Sequence, residues 1–217
     1  MLDQFLLTFP SAYRTRIINY ESLISHVGIQ EILKSLNKVL DVDGDIIECG
    51  SGRCGTAVII SNYLKSRGIG KKVYALDTYG EGFDKKELRN ERRLNLTTVK
   101  GSAFTRNSYD YVKSKIERLG VSDILVPIRG LFQDTLPHLN RRFCLSFIDC
   151  DLERTILYCA EAVWQNVSNN GILLFDDYLS HRFRGAKRAI DNFVNTHKTE
   201  ISEYRLLNRL YYVRKDH

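Results

Sequence analysis

The sequence lacks the cysteine patterns that mark zinc sites and disulfide-stabilised domains. Its five cysteines form no Cys-x-x-Cys pair, and no histidine stands at zinc-ligand spacing from them. An odd number of cysteines in apolar segments predicts reduced, buried thiols, so we expect a cytoplasmic protein. The sequence also has no secretory signal pattern and no apolar run long enough to cross a membrane, so no membrane partner is expected.

Linkers and internal repeats are missing as well. No stretch rich in proline, glycine and serine divides the chain, so we interpret its 217 residues as one domain over 1–217. A domain of that size buries roughly 70% of the surface that its unfolded chain exposes, enough for a substantial core. The formal charge of +6 allows an anionic substrate or nucleic-acid contact without requiring either.

Strand-like and helix-like segments alternate along the chain. A helical lead-in is predicted over 12–40, within an N-terminal segment 1–43, and the charged, weakly periodic insertion 79–105 is a candidate lid. The remaining predicted elements are strands at 45–50, 72–77, 124–130, 143–149 and 171–176, helices at 57–64, 107–119, 157–164 and 184–197, and a final hairpin at 204–207 and 210–214. This order predicts an α/β fold whose mostly parallel sheet has helices on both faces.

Carboxylates stand where two of the apolar runs end. Asp149 closes one run, and Asp176 and Asp177 close the next. Ligands of open α/β sheets bind just beyond the carboxyl ends of the strands. Like charges brought together there raise one another's pKa unless a cation lies between them, and carboxylate oxygens suit Mg²⁺. We therefore predict a site for Mg²⁺ or another divalent cation at Asp149, Asp176 and Asp177.

A glycine loop follows the first predicted strand. Gly50, Gly52 and Gly55 match the G-x-G-x-x-G pattern, and Asp77 ends the next strand. Such glycines let a ligand approach a helix N-terminus, and the strand-end carboxylate can bind ribose hydroxyls, so an NAD(P)-dependent oxidoreductase is one interpretation. Glu48 favours another, because a carboxylate two residues before the loop suits the ammonium of S-adenosylmethionine better than a pyrophosphate.

Six stretches resemble the macrocin O-methyltransferase family of class I S-adenosylmethionine-dependent methyltransferases. They are 44–50, 75–82, 129–137, 147–153, 171–178 and 185–191. The resemblance implies a class I methyltransferase (Rossmann-like) fold with a seven-stranded sheet, mostly parallel with a C-terminal antiparallel hairpin. It also implies S-adenosylmethionine as cofactor and Mg²⁺-dependent methylation of a hydroxyl on a small molecule, such as a sugar, a polyketide or another vicinal diol. Homo-oligomers are implied too, so we expect a dimer.

The resemblance also implies the residues that contact the cofactor. They are Glu48, Gly50 and Ser51 around the methionine part, Asp77 at the ribose, and Ser102, Phe132 and Gln133 near the adenine, with Gly52, Thr78 and Asp149 as further cofactor contacts. The unusually basic end of the insertion leaves the identity of the acceptor open, because that region is expected to shape the acceptor pocket.

Catalysis requires a base for the hydroxyl proton. Asp149 and Asp151 are the predicted catalytic residues, and His181 is a further candidate that an exposed loop position would explain equally well. A helix N-cap is the alternative role for Asp151. A bound Mg²⁺ would lower the pKa of the hydroxyl. A nucleic-acid methyltransferase is a third interpretation, suggested by the positive charge, and the cluster of aspartates argues against it.

Overall fold

The computed structural model describes residues 20–105 and 107–216. The strands are β1 (Asp45–Cys49), β2 (Val73–Asp77), β3 (Leu125–Arg129), β4 (Phe143–Ile148), β5 (Val167–Phe175), β6 (Ile201–Leu207) and β7 (Leu210–Lys215). The helices are α1 (His26–Asn37), α2 (Gly55–Ser66), α3 (Lys85–Arg93), α4 (Tyr109–Arg118), α5 (Phe132–Thr135), α6 (Glu153–Trp164) and α7 (Arg184–Thr196). Short 3₁₀ turns follow α5 and α7.

The strands form one seven-stranded sheet in the order β3-β2-β1-β4-β5-β7-β6. The first five strands of this order pair in parallel, whereas β7 is antiparallel to both β5 and β6. The chain therefore winds outward from β1 in one direction and from β4 in the other. Their junction is the switch point at which open α/β sheets bind ligands. The predicted seven-stranded, mostly parallel sheet and its final antiparallel hairpin are confirmed.

Apolar side chains on both faces of the central strands explain why helices cover both faces of the sheet. Ile46 packs into a cluster with α1, α2 and α4, whereas its neighbour Ile47 points to the opposite face and packs with α6 and α7. Both isoleucines are fully buried. Successive side chains of a strand point to opposite faces, so a continuous apolar run requires cover on each.

The helical lead-in is shorter than predicted. Within the described residues it is confirmed only as α1, because the Ser25 side chain accepts a hydrogen bond from the Gly28 N–H and caps the helix there. Residues 21–25 instead form turns and bends, and Ser22 bonds the Thr56 hydroxyl at 2.9 Å. The part of the predicted lead-in before residue 20 lies outside the described residues.

The pairing of two strands, β5 and β3, departs from that of a regular central strand. Strand β5 begins at Val167, four residues earlier than predicted, and its pairing with β4 shifts register before Ile172. Asn170 lies in that shift with a φ of 64°, a conformation that asparagine tolerates well. Strand β3 lies at the edge of the sheet, where the proline at position 127 is tolerated, since proline cannot donate to a second neighbouring strand.

The insertion 79–105 contains α3 and irregular turns. Its two ends meet, because a β-carbon on Gly82 would lie 3.0 Å from the Ala103 carbonyl oxygen. The buried residues of α3 are Glu87, Leu88 and Glu91, so its inner face carries two carboxylates. The role of the insertion as a lid stays a prediction. None of the described helices is both long and apolar enough to span a membrane.

We expect Gly50→Ala to destabilise the fold by on the order of 3 kcal/mol. Gly50 has a φ of +92°, and an added β-carbon would lie 1.9 Å from the Asp149 carbonyl oxygen. Gly68→Ala is the matched control, because Gly68 has a φ of +66° with open space around it. Urea unfolding should show a clearly larger loss for Gly50→Ala; equal losses would mean that φ alone matters.

Candidate active site

Four strand ends lie side by side at the carboxyl edge of the sheet. The backbone ladder continues past the strands: Gly50 N–H donates to Leu76 O at 2.9 Å, and Asp149 N–H donates to Cys49 O at 2.8 Å. Asp176 N–H donates to Ile148 O at 3.0 Å. These bonds fix the start of the glycine loop and of the two aspartate loops in one row.

Each loop that leaves this row contains a non-glycine residue with a left-handed backbone. These residues are Cys54 after β1, Tyr79 after β2, Asp151 after β4 and Asp177 after β5, with φ between 49° and 66°. Non-glycine residues adopt this region at an energetic cost, and such strain concentrates at functional sites. The carboxyl edge is therefore the candidate active site on backbone geometry alone.

Three carboxylates converge beyond β4 and β5. Asp149, Asp151 and Asp177 each place a carboxylate oxygen within 4.8 Å of the others, and all three are half-buried. Asp176, which we predicted as a ligand, lies outside this group. The structure thus brings together two of the three predicted metal ligands with Asp151, which we predicted only as a catalytic residue. The assignment of ligands stays a prediction.

The electrostatics of this group fit a divalent cation. Burial, followed by the Asp176 charge, raises the pKa of Asp149 well above its usual range. Burial and the Asp177 charge do the same for the pKa of Asp151, and the pKa of Asp176 rises to about 6. Crowded carboxylates of this kind either retain protons or share a cation. Three carboxylate oxygen donors match the preference of Mg²⁺ for oxygen ligands.

Glu48 provides a different kind of carboxylate one strand away. Its side chain is 2% exposed, and its Oε2 atom has no hydrogen-bond partner among the described residues. Burial, with the charge of Asp77, raises the pKa of Glu48 to about 8. A buried acceptor without a partner requires an explanation, and a cationic ligand group would supply the missing donor.

Asp77 shapes the glycine loop as well as ending β2. Its Oδ2 accepts a hydrogen bond from Gly52 N–H and its Oδ1 accepts one from Tyr79 N–H, both at 2.8 Å. Burial nevertheless raises the pKa of Asp77 above its usual value. Ser51, another predicted cofactor contact, is buried, and its hydroxyl is 3.3 Å from both Leu76 O and Glu48 O.

The other predicted cofactor contacts are spread along the edge next to β2. Thr78 follows Asp77 and is half-buried, while Phe132 and Gln133 begin α5 beyond β3. Ser102 is exposed in a turn of the insertion. Near that turn, Asn107 reaches the glycine loop, because its Oδ1 accepts a hydrogen bond from Arg53 Nε at 3.4 Å.

Comparison with known proteins identifies the family. No curated protein matches the sequence. The sequence profile described as macrocin-O-methyltransferase (TylF) matches residues 21–209. The chain belongs to this family. It is therefore an S-adenosylmethionine-dependent O-methyltransferase, and the oxidoreductase interpretation is set aside.

Solved structures agree on the fold of this methyltransferase. The O-methyltransferase NovP is 19% identical with a TM-score of 0.75, covering 90% of this chain and 82% of its own. CalS11, a calicheamicin methyltransferase, is 15% identical with a TM-score of 0.69, covering 99% and 85%. An rRNA methylase from Streptococcus thermophilus is 14% identical with a TM-score of 0.57, covering 90% and 99%. At these identities the likeness establishes the fold and leaves the acceptor open.

A buried lysine beneath the glycine loop escaped the sequence analysis. Lys115 on α4 is 1% exposed, and its ammonium donates to Tyr20 O at 2.6 Å and to Arg53 O at 2.8 Å. It also pairs with a Glu21 carboxylate oxygen at 3.1 Å. Its position on the same helical face as Val112 was the available signal, although a lysine among charged residues is usually solvated.

Lys115 holds residues 20–22 against the glycine loop of the methyltransferase. Glu21 also pairs with Arg53 at 2.7 Å, and these cationic neighbours together with the Tyr111 hydroxyl lower the pKa of Glu21 to about 2 against the effect of burial. Gly55 permits the approach, because a β-carbon there would lie 2.3 Å from the Ser22 nitrogen. The cofactor loop therefore depends on a segment far away in sequence.

We expect Lys115→Met to cost about 3 kcal/mol of stability, since it leaves two carbonyls without their donor and removes one of the two cations that pair with Glu21. Lys113→Met is the control on the same helix, where the lysine is exposed, pairs with Asp110 at 3.1 Å and lies 5.0 Å from the centre of the Tyr109 ring. Chemical unfolding should separate the two variants. Similar, small losses in both would show that water replaces the buried ammonium.

Proposed function

We propose that this methyltransferase transfers the methyl group of S-adenosylmethionine to a hydroxyl of a small sugar or polyketide, with a divalent cation such as Mg²⁺. One observation carries the proposal. A three-carboxylate group follows β4 and β5, and the partnerless buried oxygen of Glu48 belongs to the last residues of the neighbouring strand β1, near the same edge of the sheet. The three-carboxylate group suits a divalent cation and the Glu48 oxygen suits an ammonium, so the cofactor and the acceptor would meet between them.

The residues of the first two strands bind and orient the cofactor. Glu48 accepts the ammonium, Gly50 and Gly52 let the ligand approach the backbone, and Asp77 accepts the ribose hydroxyls. The cofactor supplies an electrophilic methyl group, so the enzyme must mainly align an oxygen behind it. The fixed row of strand ends supports such alignment, because the backbone ladder holds Gly50 directly beside Asp149.

The carboxylates of the aspartate loops prepare the acceptor. Asp149, Asp151 and Asp177, with Asp176 as the alternative ligand, would hold a cation that lowers the pKa of the acceptor hydroxyl. Asp149 or Asp151 would take the hydroxyl proton. Burial raises the pKa of both groups, and a bound cation would oppose that rise by favouring the ionised carboxylates.

The acceptor class rests on the family. The family's name contains macrocin, and the description of CalS11 contains calicheamicin. Both names point to sugar or polyketide hydroxyls. The fold is shared with an rRNA methylase, and the chain is positively charged, so a nucleic-acid acceptor is the second candidate. Salt-dependent RNA binding would favour it. A homodimer, as expected from the family, is part of the proposal.

Glu48 makes cofactor binding depend on pH. With a pKa of about 8 in the free enzyme, Glu48 is mostly protonated at pH 7, and it must ionise to pair with the ammonium. The neighbouring charges are Asp77, which raises this pKa, and Lys115, which lowers it. Binding of S-adenosylhomocysteine should therefore release up to one proton at pH 7. Affinity should rise from pH 6 to pH 8 and then level off.

Calorimetry in buffers of different ionisation enthalpy measures this proton release. Glu48→Gln should abolish it and weaken S-adenosylhomocysteine binding by roughly ten- to a hundredfold, the value of a hydrogen bond between charged groups. Glu117→Gln, an exposed site on α4, is the control. Unchanged affinity in Glu48→Gln, or comparable binding of NADH, would contradict the assignment of the loop.

Two variants decide between the alternative sets of metal ligands. Asp177→Asn should weaken Mn²⁺ binding by about tenfold or more while S-adenosylhomocysteine affinity stays nearly unchanged. Asp176→Asn should have a similar effect only if Asp176 is a ligand, since it lies outside the close group. Electron paramagnetic resonance titration of Mn²⁺ measures both. Wild-type affinity in both variants would exclude the metal role.

A further inference from the structure

Helix α6 begins directly after the carboxylate loop and lacks a cap of its own. Leu152 stands at the N-cap and offers no side-chain acceptor. The first N–H groups of a helix have no partner within the helix, so they must be satisfied from elsewhere. Asp151, a member of the carboxylate group, lies two residues before the helix begins at Glu153.

Two glutamates of the insertion supply the missing acceptors. Glu91 Oε1 accepts from Glu153 N–H at 2.5 Å, and Glu87 Oε1 accepts from the N–H groups of Arg154 and Thr155 at 2.8 and 3.0 Å. The Thr155 hydroxyl donates to Glu87 Oε2 at 2.7 Å. The first turn of α6 is thus capped by helix α3, from more than sixty residues earlier in the chain.

The contact is buried and closely fitted. Glu87 is 9% exposed and Glu91 is 3% exposed, and both lie where the positive end of the α6 dipole favours negative charge. Helix α7 closes another side, because a β-carbon on Gly185 would lie 2.9 Å from Glu153 Cβ and 3.2 Å from Glu91 Oε1. Arg188 Nε on that helix also pairs with Glu153 at 3.3 Å.

Little chain separates this contact from the carboxylates. Asp149 N–H is bonded to Cys49 O at the end of the sheet, and Glu153 N–H is bonded to α3. Between them, Leu152 N–H donates to Cys150 O at 2.7 Å, which tightens the turn that contains Asp151. The carboxylate loop is therefore fixed at one end by the sheet and at the other end by the insertion.

We propose that Glu87 and Glu91 are positioning residues that couple the placement of the insertion to the placement of Asp149 and Asp151. The inference rests on the proposed metal-binding role of the aspartates. In this proposal the insertion does more than shape the acceptor pocket, because the position of α3 determines the geometry of the carboxylate group. The basic exposed face of α3 is left free for solvent or for the acceptor.

The test compares Glu87→Ala with Glu87→Gln, which keeps an oxygen acceptor for the two N–H groups. Hydrogen exchange of the peptide 150–158 reports on the cap, Mn²⁺ titration reports on the carboxylates, and S-adenosylhomocysteine titration reports on the cofactor loop. Glu87→Ala should speed exchange and weaken Mn²⁺ binding by about tenfold, with S-adenosylhomocysteine affinity within about twofold of wild type. Glu87→Gln should recover most of both losses, and Lys86→Gln, an exposed neighbour, should cause neither.

Thr155→Val covers the case in which Glu87→Ala does not fold, because it removes only the hydroxyl bond to Glu87. It should shift exchange and Mn²⁺ affinity in the same direction by a smaller amount. Faster exchange with unchanged Mn²⁺ affinity would reduce the glutamates to a structural cap and overturn the proposal; unchanged exchange would overturn the cap itself. Failure of the proposed metal role would give a different result, because the wild-type protein would then bind Mn²⁺ no better than the double variant Asp149→Asn/Asp177→Asn.

Discussion

The close contact between Gly50 and the backbone of Asp149 is the constraint on which the site depends. Strands β1 and β4 start the two halves of the sheet, and their loops turn away in opposite directions. A side chain at position 50 would collide with the Asp149 carbonyl, so only glycine lets the two strand ends stay paired to their last residue. That pairing keeps β1, which carries Glu48, beside β4, whose end leads into Asp149. Cofactor and acceptor can react only if the two strand ends keep this arrangement.

The same arrangement makes ionisation of the buried carboxylates unfavourable. Burial raises the pKa of Glu48, Asp77, Asp149 and Asp151, which means that the folded protein resists ionising the groups that it needs. An ammonium at one end of the site and a divalent cation at the other would remove that penalty. The cost of ionising these buried groups would thus be recovered when ligands of positive charge bind, a trade between stability and function that active sites commonly show.

The sequence predicted the order of the elements, the glycine loop and two of the three clustered carboxylates. These follow from hydrophobic period and from the rule that ligands bind beyond strand ends. The prediction placed Asp176 in the group and left Asp151 out. Side-chain direction in these loops depends on the left-handed backbone of Asp151 and Asp177, which no periodicity reveals. The burial of Lys115 could not be predicted for a related reason, because the pattern of charged residues along the helix does not show which side chain faces inward.

Both functional loops are held by buried charges from distant segments. Lys115 ties the glycine loop to residues 20–22, and Glu87 and Glu91 tie the carboxylate loop to the insertion. Local sequence around a loop therefore does not determine its geometry here. On the proposed roles, a change in the insertion that alters acceptor choice would act on the same helix that positions the carboxylates, so specificity and catalytic geometry would not vary independently.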